Sequence, residues 1–254
     1  VGRAIAQSIV TRVTSPTLLL VGRSPANAEF KSEIEQLRQK GASVSYHVLD
    51  ITDPAAVEAL ISDSVSKYGQ INGVLHCAGV TRDGLLASKS VSELHQVLSP
   101  KVAGTLVLDQ AIGSLQLDWM VLFSSIAAQF GNIGQSDYAA ANAFLGAFAQ
   151  RRQLLVDQGK RSGKTLSIDW PVWEDGGMKI DELRRRQMRR LFGLVPLSTA
   201  SGIEAMEASL GSCDSRVMVW YGDAAKLHEN QKQEVQVTSS PSKDLDMSEA
   251  VEGW

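Results

Sequence analysis

The sequence predicts an α/β domain built on a doubly wound parallel sheet. Three observations predict it. Helix-like and strand-like patterns alternate from the first residues to about residue 228. The strand segments are short continuous apolar runs, as strands buried on both faces require, and Thr17-Leu-Leu-Leu-Val21 is the clearest. Strand–helix–strand alternation implies right-handed crossovers, hence parallel strands with helices on both faces.

The elements follow in order. Gly2 to Val10 places Ala4, Ile5 and Ile9 on one helical face. Thr17–Val21 is the first visible strand, and Ala28 to Gln39 an amphipathic helix stopped at Gly41. Ser43 to Leu49 is a second strand. Asp53-Pro54 opens a helix that runs to Tyr68 and closes at Gly69, because an aspartate cap and a proline in the first turn both suit a helix start. Gly73 to Cys77 is a third strand, Val91 to Ile112 one long helix, and Trp119 to Ser124 a fourth strand. Ala139 to Gln158 is a further long helix and Thr165 to Trp170 a fifth strand.

Composition narrows the function. Twenty-five basic residues against 28 acidic ones give a net charge of −3, so no basic surplus exists to hold a nucleic-acid backbone. Cys77 and Cys213 are too few for a disulfide scaffold and have no metal-ligand spacing, and His47, His76, His95 and His228 share none either. No apolar run is long enough to span a bilayer, and the expected setting is cytoplasmic, with no membrane, nucleic acid or metal. The chain opens at Val1 directly into a helical pattern, which reads as the N-terminally truncated piece of something longer. Residues 1–228 read as one catalytic domain. Residues 229–254, rich in Glu, Gln, Lys, Ser and Asp, read as a disordered polar linker.

Ligands in such sheets sit beyond the carboxyl ends of the strands, so the residues just after each strand are the candidates. Arg23-Ser24 follows the first visible strand. An arginine there with no acid suits a ribose 2′-phosphate, which argues for NADP(H). Asp50 and Ile51 follow the second strand, Ala78-Gly79 the third and Pro171-Val172 the fifth. Gly2 would be the third glycine of a phosphate-binding turn whose first strand lies upstream, with the helix start facing the pyrophosphate.

The most informative stretch runs from Phe123-Ser-Ser to Tyr138-Ala-Ala-Ala-Asn142. Ser125 closes a buried strand, Tyr138 lies thirteen residues later, and Asn142 sits one helical turn beyond it on the same face. Lys101 stands twenty-four residues before Ser125. Reducing a ketone puts growing negative charge on oxygen, where preorganised donors help most; Ser125 and Tyr138 would donate there. A nearby ammonium lowers a phenol from its usual value near ~10 towards working pH, and Lys101 is the candidate cation. Asn142 would hold a water or orient Lys101. Spacing to Tyr138 favours Ser125 over Ser124.

These residues, with His76-Cys-Ala-Gly79, Lys101-Val-Ala-Gly104, Ser167-Ile-Asp-Trp-Pro-Val-Trp173, Gly176-Gly-Met178 and Gly193-Leu-Val-Pro-Leu197, resemble the catalytic half of a modular polyketide synthase ketoreductase. That family lies within the short-chain dehydrogenase/reductase superfamily, and the resemblance spans roughly residues 1 to 228. It implies a Rossmann-like fold, NADPH as cofactor, and reduction of a β-ketoacyl group carried on the phosphopantetheine of an acyl carrier protein beside neighbouring synthase domains. Position +4 from the tyrosine is Asn142 rather than lysine, and the lysine sits on the earlier helix. This exchange is similar to synthase ketoreductases and unlike free-standing reductases. The family's B-type Leu-Asp-Asp motif is kept here only in Asp83, and Phe130 stands where A-type enzymes carry tryptophan. The resemblance therefore implies B-type reduction to a D-hydroxyl. Asp83, Phe130, Gln135, Trp173 and Met178 are its implied substrate and stereocontrol residues. The tryptophans of the post-strand segment also read as packing. Gly176-Gly177 could hinge a lid, and the arginines between Lys179 and Arg190 read as a solvated helix face or a docking site for an acidic carrier protein. The alternative functions are a silent reductase-like scaffold and a free-standing reductase of small ketones.

Overall fold

The structure is a computed structural model and describes residues 1–177 and 182–226; Met178 and the expected linker 229–254 lie outside the described residues. The chain divides into two compact units, one of Val1–Lys179 with Leu197–Val219, the other of Ile180–Pro196 with Trp220–Trp254.

The first unit runs α1 (Gly2–Arg12), β1 (Thr17–Gly22), α2 (Ala28–Gln39), β2 (Ser43–Val48), α3 (Pro54–Tyr68), β3 (Gly73–His76), α4 (Val91–Lys101), α5 (Ala103–Ile112), β4 (Trp119–Ser125), α6 (Ala127–Phe130), α7 (Ser136–Asp157) and β5 (Lys164–Trp170). It closes with α9 (Thr199–Gly211) and β6 (Arg216–Met218); α8 (Glu182–Phe192) belongs to the second unit. Every described strand pair is parallel, as the sequence predicts, in two sheets of order β1-β2 and β3-β4-β5-β6.

Helices cover both faces. On one, Met120 and Leu122 of β4 pack with Val57 of α3, Leu108 and Ile112 of α5, and Leu145, Phe148 and Ala149 of α7. Elsewhere Ala6 and Val10 of α1 and Ile34 and Leu37 of α2 close on Leu18, Leu20 and Val44 of the β1–β2 pair. Burial of these apolar faces is the main favourable contribution to the fold. Between the other face of β1–β2 and α3 lies a groove of about 500 Å³ lined by Leu19, Ser45, His47, Leu60, Asp63 and Lys67 among others.

The long helix predicted over Val91–Ile112 is two helices. Pro100 lies in its last turn and Val102 is the break. Proline lacks the N–H that would bond the carbonyl four residues back, and its ring crowds that carbonyl. Two buried side chains take up carbonyls freed at the break: His76 Nε2 meets Pro100 O at 3.1 Å, and Thr105 Oγ1 donates to Lys101 O at 2.5 Å. The cap predicted at Asp53 forms, its carboxylate accepting from Ala56 N at 3.1 Å. Helices α6 and α9 and strand β6 carried no sequence expectation. In the second unit, α8 holds a Glu182–Arg186 pair at 3.2 Å, and Val195 N donates to Tyr221 O at 3.0 Å.

Candidate active site

The carboxyl ends of β3 and β4 and the starts of α6 and α7 bring the four candidate catalytic residues to one side of the sheet. Tyr138 lies in the first turn of α7, buried with Val97 of α4 and Ala127 of α6 in one apolar cluster. Lys101 ends α4 one helical turn beyond Val97, so the packing of α4 on α7 sets the lysine and the tyrosine on the same face. Lys101 is 4% exposed and its Nζ donates to Phe123 O in β4 at 2.6 Å.

The two neighbouring serines are separated by their partners. Ser124 Oγ donates to Asn142 O at 3.0 Å and ties β4 to α7. Ser125 Oγ accepts from Ala127 N at 3.2 Å and lies close enough to the Tyr138 phenol to lower it. The spacing argument for Ser125 thus agrees with the geometry. Asn142 is fully buried. Its Nδ2 donates to Tyr138 O at 2.7 Å, and its Oδ1 has no partner among the described residues. A buried acceptor without a partner is costly unless water or another donor reaches it, so the atom suits the water that the sequence reading gives Asn142. Orienting Lys101, however, falls to the Phe123 carbonyl.

The electrostatics correct one expectation. Burial pushes the Tyr138 phenol above its ordinary value, and the Asp83 carboxylate adds to this; hydrogen bonds with Ser125 and Asn142 pull it back. The ammonium expected to lower it is itself pushed down to about 8 by burial, opposed by Cys77. Burial penalises the charged forms of both Lys101 and Tyr138. Burial also lowers His76 to about 3, with Lys101 contributing, and raises Cys77 to about 12. His76 is therefore neutral and structural, and Cys77 a protonated packing residue.

The candidate cofactor residues lie where the strand ends predict, with differing roles. Gly79 follows β3, and a Cβ there would come within 2.8 Å of Lys101 Cε, so a side chain at this position would make the lysine stem shift. A Cβ on Gly2 would meet Cys77 Cβ at 3.5 Å, an ordinary contact, so the close packing expected to require that glycine is not what selects it. Arg23 and Ser24 are exposed after β1, and Ser24 O accepts from Tyr46 Oη at 2.6 Å. Asp50 is partly committed to its own turn, its Oδ1 accepting from Thr52 N at 2.9 Å and Thr52 Oγ1 at 2.7 Å; these bonds and Arg23 lower its carboxyl. The half-buried Ile51 side chain packs against α5, where a Cβ on Gly104 would lie 2.7 Å from its Cγ2. Ala78 is half-buried after β3, Pro171 is buried, and the Val172 carbonyl accepts from Leu197 N at 2.8 Å.

Of the substrate residues, Asp83 and Gln135 meet: Gln135 Nε2 donates to Asp83 Oδ1 at 2.8 Å. Phe130 ends α6, 41% exposed. Trp173 packs inside the first unit. It is 4% exposed, edge-on to Trp170 with ring centroids 5.0 Å apart, and seated against Gly202, where a Cβ would lie 2.3 Å from its ring. Sequence reasoning missed the buried Lys89–Asp137 pair beside Tyr138. No spacing rule marks it, because its partners lie 48 residues apart.

The chain matches the KR domain family over residues 1–175. It is 41% identical over 229 residues to the polyketide synthase PksN of Bacillus subtilis (strain 168), covering 90% of this chain and 4% of that protein. It is 39% identical over 227 residues to the polyketide synthase ThaG of Burkholderia thailandensis, again 4% of its length. Among solved structures, a ketoreductase domain from the bacillaene assembly line superposes with a TM-score of 0.88 at 38% identity, covering 90% of this chain and 55% of that one. An N-terminal ketoreductase from the macrolactin assembly line gives 0.81 at 35%, with 90% and 44% coverage. A short-chain dehydrogenase from Streptomyces avermitilis, 20% identical with a TM-score of 0.69, shares the Rossmann-like fold. KR domains are oxidoreductases that bind a nicotinamide cofactor. With the match running through β4, α4 and α7, which carry Ser125, Lys101, Tyr138 and Asn142, the chain belongs to the ketoreductase domain family of polyketide synthases, within the short-chain dehydrogenase/reductase superfamily.

Proposed function

We propose that this domain reduces a β-ketoacyl thioester, carried on the phosphopantetheine of an acyl carrier protein, to the β-hydroxyacyl thioester, with NADPH as reductant and the D-hydroxyl as product. The observation that carries the proposal is the convergence of Ser125, Tyr138, Lys101 and Asn142 at one edge of the parallel sheet, the last three buried.

Residues on this face fit the cofactor: the start of α1 at Gly2, exposed Arg23 and Ser24 after β1, the second oxygen of Asp50, and the backbone cleared of side chain at Gly79. Arg23 is a 2′-phosphate partner by type and position. When bound, NADPH supplies hydride to the carbonyl carbon. The chain's own residues manage the oxygen and its proton. Ser125 and Tyr138 donate hydrogen bonds to the carbonyl oxygen as charge develops there. Because burial holds the phenol above its ordinary value, Tyr138 is protonated at neutral pH and ready to donate. As its proton passes to oxygen, the neighbouring polar side chains of Ser125 and Asn142, which lower the phenol, favour the phenolate left behind. Lys101, tuned by burial to about 8, is an acid matched to neutral working pH and returns a proton to the tyrosine through the water that Asn142 Oδ1 can hold.

The Asp83–Gln135 contact beside the phenol supports the B-type reading, and the exposed Arg185 and Arg189 of α8 supply positive charge suited to an acidic carrier protein. The test is consumption of NADPH with a β-ketoacyl thioester, followed at the nicotinamide absorbance band, with chiral analysis of the alcohol. Tyr138→Phe should abolish turnover. An L-hydroxyl product removes the B-type assignment, and undiminished oxidation in Tyr138→Phe removes the mechanism. Charge reversal at Arg185 and Arg189 should raise KM for carrier-bound substrate and spare small thioester mimics.

A further inference from the structure

The loop that carries Asp83 is fastened to the start of α7 at three points. Gly84 N donates to Gly134 O at 2.9 Å, Gln135 Nε2 donates to Asp83 Oδ1 at 2.8 Å, and Lys89 Nζ reaches Asp137 Oδ2 at 2.5 Å. The Gln135–Asp83 bond is exposed, so water competes with it. The ion pair is not: the side chains of Lys89 and Asp137 are 3% and 1% exposed. A cation and a carboxylate withdrawn from water are costly apart, so the pair does not separate easily.

Asp137 sits next to a residue of the candidate chemistry, and Lys89 next to the cap of the helix that ends at Lys101. Asp137 immediately precedes Tyr138, and its second oxygen accepts from Tyr138 N at 2.9 Å. It also lies in the first turn of α7, where a negative charge suits the helix dipole. Lys89 immediately precedes Ser90, which opens α4 with a reciprocal cap shared with Glu93. That helix ends at Lys101. The stem of Lys89 also passes beneath the Asp83 loop, where a Cβ on Gly84 would lie 3.6 Å from Lys89 Cε. One buried ion pair therefore joins the start of the helix that delivers Lys101, the loop that bears Asp83 and the backbone of Tyr138.

We propose that Lys89 and Asp137 are a positioning pair. They set the register of the Asp83 loop and α4 against Tyr138, and so govern which face of the substrate carbonyl is presented for reduction. The proposal rests on the ketoreduction argued above. Neither side chain touches the reacting atoms; both act through Tyr138 and the loop.

The experiment compares variants of the full-length protein on a β-ketoacyl thioester with NADPH, reading kcat, KM and the enantiomer ratio of the alcohol. Lys89→Met and Asp137→Asn should each lower kcat about tenfold with KM changed less than about twofold, as small misplacement of a catalytic group does. Each should also yield a mixed alcohol where wild type yields one enantiomer. Lys89→Arg should restore both readouts. A merely structural pair would change the amount of folded protein and leave the enantiomer ratio of that protein intact. Asp137→Glu, which keeps the ion pair and lengthens it by one methylene, covers the case in which the neutral variants do not fold; it should fold and shift the ratio. A wild-type ratio in a folded Lys89→Met or in Asp137→Glu overturns the proposal. Absence of turnover in wild type instead refutes the ketoreduction, and the positioning role with it.

Discussion

The ammonium of Lys101 donates 2.6 Å to the carbonyl oxygen of Phe123, two residues before β4 ends at Ser125. The strand that presents the serine therefore also holds the lysine, and the relative placement of the two is set by backbone.

The close passage of Gly79 past that lysine makes Gly79→Ala a test of placement. The added methyl would meet Lys101 Cε at 2.8 Å, so the lysine stem must shift and its bond to Phe123 is disturbed. Expected is a folded protein with kcat lowered about tenfold or more, measured by NADPH oxidation beside an unchanged circular dichroism spectrum. Wild-type kcat would show that the Lys101–Phe123 bond is dispensable.

Lys101 also predicts a pH dependence of stability. Its folded value, about 8, lies below the 10.5 of an unfolded lysine. Between those values the unfolded chain holds a proton that the folded chain does not, so stability rises with pH across that window. Below about 8 both states are protonated and the cost of burying the charge is fully present. Relative to Lys101→Met, the wild type should gain about 3 kcal/mol between pH 7.5 and 10.5, read by urea unfolding at each pH. A constant difference would place the ammonium in water.

His76 behaves likewise at lower pH. Burial depresses it to about 3, so unfolding takes up a proton between pH 6.5 and 3, and stability falls on acidification through that range. His76→Gln, which retains a donor for Pro100 O, should flatten this slope by a few kcal/mol in acid denaturation curves. An unchanged slope would assign the acid lability to other groups.

Arg152 joins α7 to its neighbours from within the core. It is 1% exposed, donating to Asp109 at 2.7 Å and Thr165 Oγ1 at 2.7 Å. Arg152→Met leaves Asp109 to Arg161 alone, at 3.3 Å, and strands the Thr165 contact. A loss of about 3–5 kcal/mol in unfolding free energy is expected, and one under about 1 kcal/mol would mean the pair contributes little net.

The fold was legible because its signals are local. Apolar runs such as Leu18–Val21 name strands, Asp53-Pro54 names a helix start, and alternation names the parallel sheet. The break at Val102 was masked because apolar periodicity continues across it, although Pro100 was a readable warning. In the site, spacing located Ser125, Tyr138 and Asn142, since strand end and helix face are periodic properties. Spacing could not tell which way burial would move Tyr138, because the polarity around the phenol comes from side chains on several elements. The packing of Trp173 was not legible for a similar reason: its partner, Gly202, lies on a helix that the sequence pattern did not announce.

The interruption at Val102 has a mechanical consequence. In an unbroken α-helix each inserted residue rotates everything beyond it by about 100°, so a change of length in α5 would be felt along the whole rod. With separate hydrogen-bonded segments on either side, and His76 and Thr105 anchoring the free carbonyls, α5 can gain, lose or exchange residues to suit its own packing while the charged tip at position 101 stays aimed.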